Sequence, residues 1–298
     1  MKMLVTGGAG FIGSHLVKEL LEAGNTVVVL DNLHRDMNLV KDMDIRFIEG
    51  DIRDYETCLK ATEGAEIVFH LAAQSNVIGS AADPDYSFST NIDGTYNVLK
   101  ACVEQKVRKL VFSSSREVYG DAQYTPVDEK HPIDPKNIYG ATKVSGEVLC
   151  SSFAGNFDID IAIGRIANVY GPGDKDRVIP IFLDNCFSGK DLEVYGGSQV
   201  LDFVWVRDVV KALIEMMKDD YDGKTINIGS GKGITVLDLA KLVKKLTGSR
   251  SDIKVKEKRD IEVQGYVSST DNMPIKPVEL EKGLKMLIQD MKKNKIQR

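Results

Sequence analysis

The chain has 298 residues, 43% of them hydrophobic and 28% charged, with a net charge of −5. It is long enough for one large or two modest domains with real cores, and its acidic balance excludes a general nucleic-acid footprint. Four cysteines, Cys58, Cys102, Cys150 and Cys186, stand far apart in apolar-periodic stretches, and only four histidines occur. Buried free thiols are therefore expected, with neither disulfides nor a metal. The N-terminus opens on a strand without a basic segment and apolar run, and no apolar stretch reaches the roughly 18 residues of a span. A cytoplasmic chain that neither crosses nor binds a membrane is expected.

Residues 2–5 read as a strand that runs into Gly7, Gly10 and Gly13 and then into a helix over 14–23. Glycines at this spacing, between strand and helix, suit a dinucleotide pyrophosphate. Gly7 allows the tight turn, Gly10 removes a Cβ where backbone approaches phosphate, and Gly13 lets the helix pack close. The helix N-terminus offers free N–H groups to the anion. A second strand, 26–30, ends in Asp31, about 20 residues past the glycines, where a carboxylate accepts from a ribose diol and repels a 2′-phosphate. NAD is therefore expected over NADP.

Further strands are expected at 45–49, 66–73, 109–115 and 159–166, and helices at 55–62, 85–105 and 139–154. This alternation predicts an α/β fold with a doubly wound, Rossmann-type parallel sheet. Ligands in such sheets bind beyond the carboxyl ends of the strands, where Asp31, Asp51, Gln74, Ser113 to Ser115 and Asn168 collect. The alternation loosens after Asn168. A helix over 179–188, a strand over 192–195, a strand and helix from 202 and a Lys-rich C-terminal helix follow, with one more strand over 225–228. The expected organisation is a dinucleotide-binding domain over 1–167, to which 206–235 returns, and a discontinuous substrate-binding region over 168–298.

Tyr139 and Lys143 stand four residues apart on an expected helix, hence on one face. A free phenol has a pKa of about 10, and an ammonium about 4 Å away at an effective dielectric near 20 supplies roughly 4 kcal/mol, about 3 pKa units. Lys143 is thus expected to bring Tyr139 near neutrality as a base. Ser115, at the end of an expected strand, would share the hydroxyl on which Tyr139 acts.

Over nearly its whole length the chain resembles the extended short-chain dehydrogenase/reductases, specifically the nucleotide-sugar epimerase/dehydratase family. The residues that carry this are Thr-Gly-Gly-Ala-Gly-Phe-Ile-Gly at 6–13, Gly-Asp-Ile-Arg-Asp at 50–54, His-Leu-Ala-Ala-Gln at 70–74, Ser-Ser-Ser-Arg-Glu-Val-Tyr-Gly at 113–120 and Tyr-Gly-Ala-Thr-Lys at 139–143. The resemblance implies NAD contacts from Phe11, Ile12, Asp31, Asn32, Asp51, Ile52, Leu71, Ala73, Asn91, Tyr139 and Lys143. Ala72, Gln74 and Ser113, within the same motifs, are counted with them. It also implies that Asn168, Val178, Tyr195 and Arg259 touch the nucleotide diphosphate of a sugar nucleotide. Tyr195 offers a face for a nucleobase or simply packs, and Arg259 offers a bidentate fork or a solvated charge. Leu201 stands where relatives carry arginine, with Arg207 or Arg177 as a replacement, and the segment over 271–277 is shorter than the family pattern.

Family members remove a hydride from a sugar carbon to NAD and then diverge. Where dehydratases carry an Asp-Glu pair, this chain has Arg116-Glu117. Arginine is no proton donor near neutrality, so dehydration loses its acid. Glu117 resembles the equivalent residue of decarboxylases, or is a structural carboxylate paired with Arg116, and Arg116 could instead meet a carboxylate at sugar C6. The expected function is NAD-dependent 4-epimerisation of a UDP-hexose or UDP-uronic acid. A UDP-glucuronate decarboxylase and a catalytically idle NAD-binding scaffold are the alternatives. A homodimer packed through the helices at 85–105 and 139–154 is expected, mainly from the resemblance.

Overall fold

In the computed structural model, which describes residues 1–35, 38–175, 177–258 and 263–296, strands and helices alternate through the first half of the chain. In order they are β1 (Lys2–Thr6), α1 (Phe11–Glu22), β2 (Thr26–Asp31), β3 (Arg46–Glu49), α2 (Tyr55–Thr62), β4 (Ile67–His70), α3 (Val77–Ala82), α4 (Pro84–Phe88), α5 (Gly94–Glu104), β5 (Lys109–Ser115), α6 (Ile138–Asn156) and β6 (Asp160–Ile166). The second half supplies β7 (Asn168–Tyr170), α7 (Val178–Ser188), β8 (Leu192–Tyr195), β9 (Val200–Trp205), α8 (Val206–Glu215), β10 (Thr225–Ile228), β11 (Gly233–Thr235), α9 (Val236–Thr247), β12 (Ile253–Lys256) and α10 (Leu280–Ile296).

Seven strands pair in the order β10-β6-β5-β4-β1-β2-β3, all parallel. Both faces of this sheet are covered, which is why β1 and β2 read as nearly unbroken apolar runs. Successive residues feed opposite cores. Met3 and Val5 join Leu16, Val17 and Leu213 on the side of α1 and α8, whereas Leu4 joins Leu99, Cys102 and Phe112 on the side of α2, α5 and α6. The chain reverses its direction of travel between β1 and β4, so a crevice opens there at the carboxyl ends of the strands. The returning strand, β10, pairs with β6 from Thr225–Ile163 to Ile228–Ile166.

A third core, built from Tyr170, Phe182, Leu192, Trp205, Leu239 and Leu284, lies under the smaller sheets β11-β9-β7 and β12-β8. The four cysteines are free and buried. Among the described residues no helix is long and apolar enough to cross a membrane, and no group of His, Cys, Asp and Glu could hold a metal ion.

The structure departs from the sequence reading in two places beside the crevice. The strand expected over 66–73 ends at His70, because the Gly7 turn packs directly on the next backbone: a Cβ at Gly7 would lie 2.7 Å from the Ala72 nitrogen. Thr6 Oγ1 accepts the Ala72 N–H at 3.2 Å, which draws the chain out of the ladder. The helix expected over 85–105 is interrupted by a π-helical turn over Ser89–Asp93 between α4 and α5. Such turns insert one residue into the helical ladder and recur at functional sites, and this one carries the buried Asn91.

Candidate active site

A cavity of about 1030 Å³ runs along the crevice, from the Gly7 to Gly13 turn past Ser115 and Tyr139 to Tyr195 and Lys254 in the second half of the chain. Its first end is made by backbone. Gly7 has a φ of +71° and donates its N–H to the Leu30 carbonyl at 2.8 Å. A Cβ at Gly13 would sit 2.2 Å from the Gly7 carbonyl oxygen, so α1 starts against the turn itself and not only against the sheet. Gly10 differs. Its Cβ would meet only the Gly7 oxygen, at 3.3 Å, and the residue lines the cavity.

Asp31, at the end of β2, accepts from the Ala9 N–H at 3.0 Å and the Leu33 N–H at 2.9 Å. Burial raises its pKa above the usual carboxylate range, against the opposing pull of these two bonds. Phe11, Ile12, Asn32, Ile52, Leu71, Ala72, Ala73, Gln74 and Ser113 also line the cavity. Two further residues expected to touch the cofactor, Asp51 and Asn91, are not among those that line the cavity. Asp51 is turned toward Asn32 Nδ2 (2.9 Å) and Arg53 Nη2 (2.8 Å), leaving Gly50 and Ile52 on the wall. Asn91 accepts from the Gln74 N–H at 2.8 Å and donates to the Gln74 carbonyl at 3.2 Å and to Thr142 Oγ1 at 2.9 Å. It therefore holds the 71–74 wall in place from behind. His70 does similar work, bridging Thr6 Oγ1 (2.7 Å) and Thr95 Oγ1 (3.0 Å), and burial depresses its pKa to about 3, so it stays neutral.

The chemical groups lie midway along the cavity. The Asn137 side chain caps α6 by accepting the Gly140 N–H at 2.8 Å, and the helix then presents Tyr139 and Lys143. Ser115 ends β5, and its Oγ accepts the Glu117 N–H at 3.2 Å. Lys143 is buried and donates to the Ser113 carbonyl at 2.8 Å; burial lowers its pKa to about 8. Tyr139 moves the other way. Burial raises its phenol to about 12, while hydrogen bonding with Ser115 pulls it down, Glu117 raises it, and Arg177 and Arg116 lower it. The depression of the phenol expected from its spacing to Lys143 is opposed here by burial. The ammonium is 6.0 Å from the phenol ring centroid and committed to Ser113, and desolvation of the phenol dominates.

Glu117 and Arg116 line the cavity and pair at 2.7 Å, and Glu117 also accepts from Asn137 Nδ2 at 2.7 Å. Toward the far end, Asn168 donates to the Asp202 carbonyl at 3.0 Å, Val178 opens α7, and Tyr195 donates to Glu193 at 3.2 Å; all three line the cavity. Arg259 lies outside the described residues. Leu201 is on the wall. Of the two arginines considered in its stead, Arg177 lines the cavity, paired with Asp174 at 3.1 Å, whereas Arg207 is exposed and off it. His34 and Tyr86, stacked at 4.4 Å beside Asn32, are wall residues that the sequence reading missed, since no local spacing marks two aromatic rings brought together from the loop after β2 and from α4.

A profile of the NAD dependent epimerase/dehydratase family matches residues 3–229. The chain belongs to that family. The UDP-glucose 4-epimerase of Mycolicibacterium smegmatis is 38% identical over 246 residues, 78% of each chain. The UDP-N-acetyl-alpha-D-glucosaminuronate decarboxylase of Bacillus cytotoxicus is 36% identical over 270 residues, covering 85% of this chain and 82% of that one. A solved structure of UDP-glucose 4-epimerase from Thermotoga maritima, with UDP-glucose, superposes with a TM-score of 0.93 at 35% identity, over 99% of both chains. The family is NAD-dependent, and the cavity fits that cofactor. The Gly10 position leaves room for a phosphate, α1 begins beside it, and Asp31 ends β2 on the same wall.

Proposed function

We propose that the protein catalyses the 4-epimerisation of a nucleotide sugar, a UDP-hexose in the first instance, without net oxidation. The observation that carries this reading is the placement of Ser115, Tyr139 and Lys143 along one cavity with the glycine turn, next to Arg116 where a dehydratase needs an acid. The epimerase relatives support it. The proposed cofactor wall comprises Gly7, Gly10, Phe11, Ile12, Gly13, Asp31, Asn32, Ile52, Leu71, Ala72, Ala73, Gln74 and Ser113, with Asn91 and Asp51 bracing it. Asn168, Val178 and Tyr195 would take the nucleotide half of the substrate.

When bound, NAD supplies a reversible hydride acceptor that carries a positive charge. Tyr139 Oη takes the proton of the sugar 4-hydroxyl, Ser115 Oγ hydrogen-bonds the same oxygen, and Lys143 holds Ser113 and its own charge near the phenol. The 4-keto sugar turns inside the cavity, and Tyr139 returns the proton to the other epimer. With its phenol at about 12 in the protein alone, Tyr139 becomes a base only when cationic charge joins it. Activity is then gated by cofactor loading.

The Arg116 charge is met by Glu117, so that part of the wall is neutral, which favours a hexose over a uronic acid. Glu117 on the wall, and a decarboxylase among the relatives, favour a second reading, decarboxylation of a UDP-uronic acid. Incubating the protein with UDP-glucose and with UDP-glucuronate, and following products by NMR, separates the two. UDP-galactose is expected, and carbon dioxide with a UDP-pentose would select the second reading.

We also propose a homodimer through α5 and α6. Phe88, Tyr96, Val148 and Phe157 are exposed on or beside these helices, with Tyr96 edge-on to Phe153 at 6.0 Å. Light scattering of the Val148→Lys variant should give a monomer where the parent chain gives a dimer. A monomeric parent at micromolar concentration would refute it.

A further inference from the structure

Tyr139, Lys143 and Glu147 follow one another at four-residue intervals along α6, so Glu147 lies one turn beyond Lys143 on the same face. It is buried and does not line the cavity. Its carboxylate accepts a forked pair from Arg165 on β6, Nε to Oε1 at 2.9 Å and Nη2 to Oε2 at 2.7 Å, and also accepts the Ser114 hydroxyl on β5. Arg165 Nη1 continues to Tyr119 Oη at 2.9 Å, which donates to Asn227 Oδ1 on β10 at 2.7 Å. One carboxylate thus ties α6 to three adjacent strands of the sheet.

Stability alone is a poor reason for such a cluster, because a well-packed apolar pair of similar volume often serves as well or better. What the fork supplies is direction. It fixes the rotation and height of α6 against β5, and Ser114 stands between the two β5 residues that meet the other side chains of this helix: Ser113, whose carbonyl holds Lys143, and Ser115, which bonds Tyr139.

We propose that Glu147, gripped by Arg165 and Ser114, is a positioning residue that sets Tyr139 and Lys143 on α6 against Ser113 and Ser115 on β5. This rests on the roles given above to Tyr139 and Lys143. The Glu147 charge has a second effect. Burial pushes Lys143 down to about 8, and Cys150 and Glu147 pull against it. The other titratable and charged groups around Lys143 are Tyr139 on α6, His70 on β4 and Arg165 on β6, with Glu117 and Arg116 facing Tyr139 from the turn after β5.

The test uses the full chain with NAD bound. In Glu147→Gln, kcat on UDP-glucose should fall about tenfold or more with KM within about threefold, the pattern of a lost transition-state arrangement. Its alkaline limb should move to lower pH by about half a unit, because the ammonium loses an opposing charge and deprotonates earlier. The Lys143 titration, read by NMR on 13C-labelled lysine, should move by the same amount whether or not a substrate turns over. Glu147→Met/Arg165→Met removes both charges. It should fold at least as well as Glu147→Gln yet keep the kcat loss, whereas a structural role predicts that activity returns with stability. Ser114→Ala should lower kcat about threefold, and it decides the matter if Glu147→Gln does not fold. Folded variants with parental kcat and an unmoved Lys143 titration would overturn the proposal. Turnover retained in Tyr139→Phe would instead overturn the roles on which it rests.

Discussion

The two ends of the catalytic half of the cavity are built by different means. At the glycine turn the shape comes from backbone, and the side chains that matter most are the ones that are missing: a Cβ at Gly13 would overlap the Gly7 carbonyl at 2.2 Å. At α6 the shape comes from side chains whose charges are set by burial, with a phenol raised to about 12 and an ammonium lowered to about 8. The first end is finished before any ligand arrives. The second is assembled sterically, and under the proposed mechanism its phenol must still gain cationic company before it can act as a base. Under the proposed mechanism, one protein therefore pairs a closely packed backbone surface with chemistry that waits for its cofactor.

Four substitutions would break or sharpen that contrast. The largest effect belongs to the tuned end. Tyr139→Phe should lower sugar turnover about a thousandfold while thermal unfolding and NAD content stay parental, since only a phenolic oxygen is lost. More than a tenth of parental activity would remove Tyr139 from the role of base. At the rigid end, Gly13→Ala should cost about 3 kcal/mol or more, read by denaturant unfolding, because neither the Gly7 carbonyl nor the helix start can give way.

Next comes Asp31. Its carboxylate would face a 2′-phosphate with like charge, so Asp31→Asn should reduce the preference for NAD over NADP on the order of 100-fold, measured by calorimetry with both cofactors. An unchanged preference would place the discrimination elsewhere on the wall, for instance at Arg35, which also lines it. The smallest effect is Gly10→Ala. Nothing but the Gly7 oxygen stands within contact distance of that Cβ, so stability should hold while NAD affinity falls about tenfold, or about 1.4 kcal/mol. Loss of stability comparable to Gly13→Ala would mean that Gly10 also serves the turn and not the ligand.

The same contrast explains what could be read from the sequence. The glycines, Asp31 and the alternating strands were legible because backbone conformation and parallel-sheet burial leave local signatures: β5, α2 and β8 coincide with their expected spans. The break in the helix expected over 85–105 was not legible, because the π-helical turn exists to place Asn91 against Gln74 and Thr142, partners 17 and 51 residues away. Nor was the state of Tyr139. Its spacing from Lys143 is local, but the pKa depends on how deeply both groups are buried and on where Lys143 finds its acceptor. The engagement of Asp51 was not legible for a related reason, since the carboxylate accepts from Arg53 and Asn32. α9 went unnoticed although its signals are present, a Thr235 cap on the Asp238 N–H and a left-handed Gly248 after its last turn. The strands β7 and β11, of three residues each, carry too few side chains to show a period.

The central claim is that the hydrogen leaving sugar C4 returns to the same carbon from the opposite face within one binding event. UDP-glucose deuterated at C4, incubated with the NAD-loaded protein and followed by proton and deuterium NMR with absorbance at about 340 nm, tests it directly. The account predicts UDP-galactose that keeps its deuterium at C4, with no accumulation of free reduced cofactor. Loss of the label to solvent, or reduced cofactor released in proportion to sugar consumed, would contradict it.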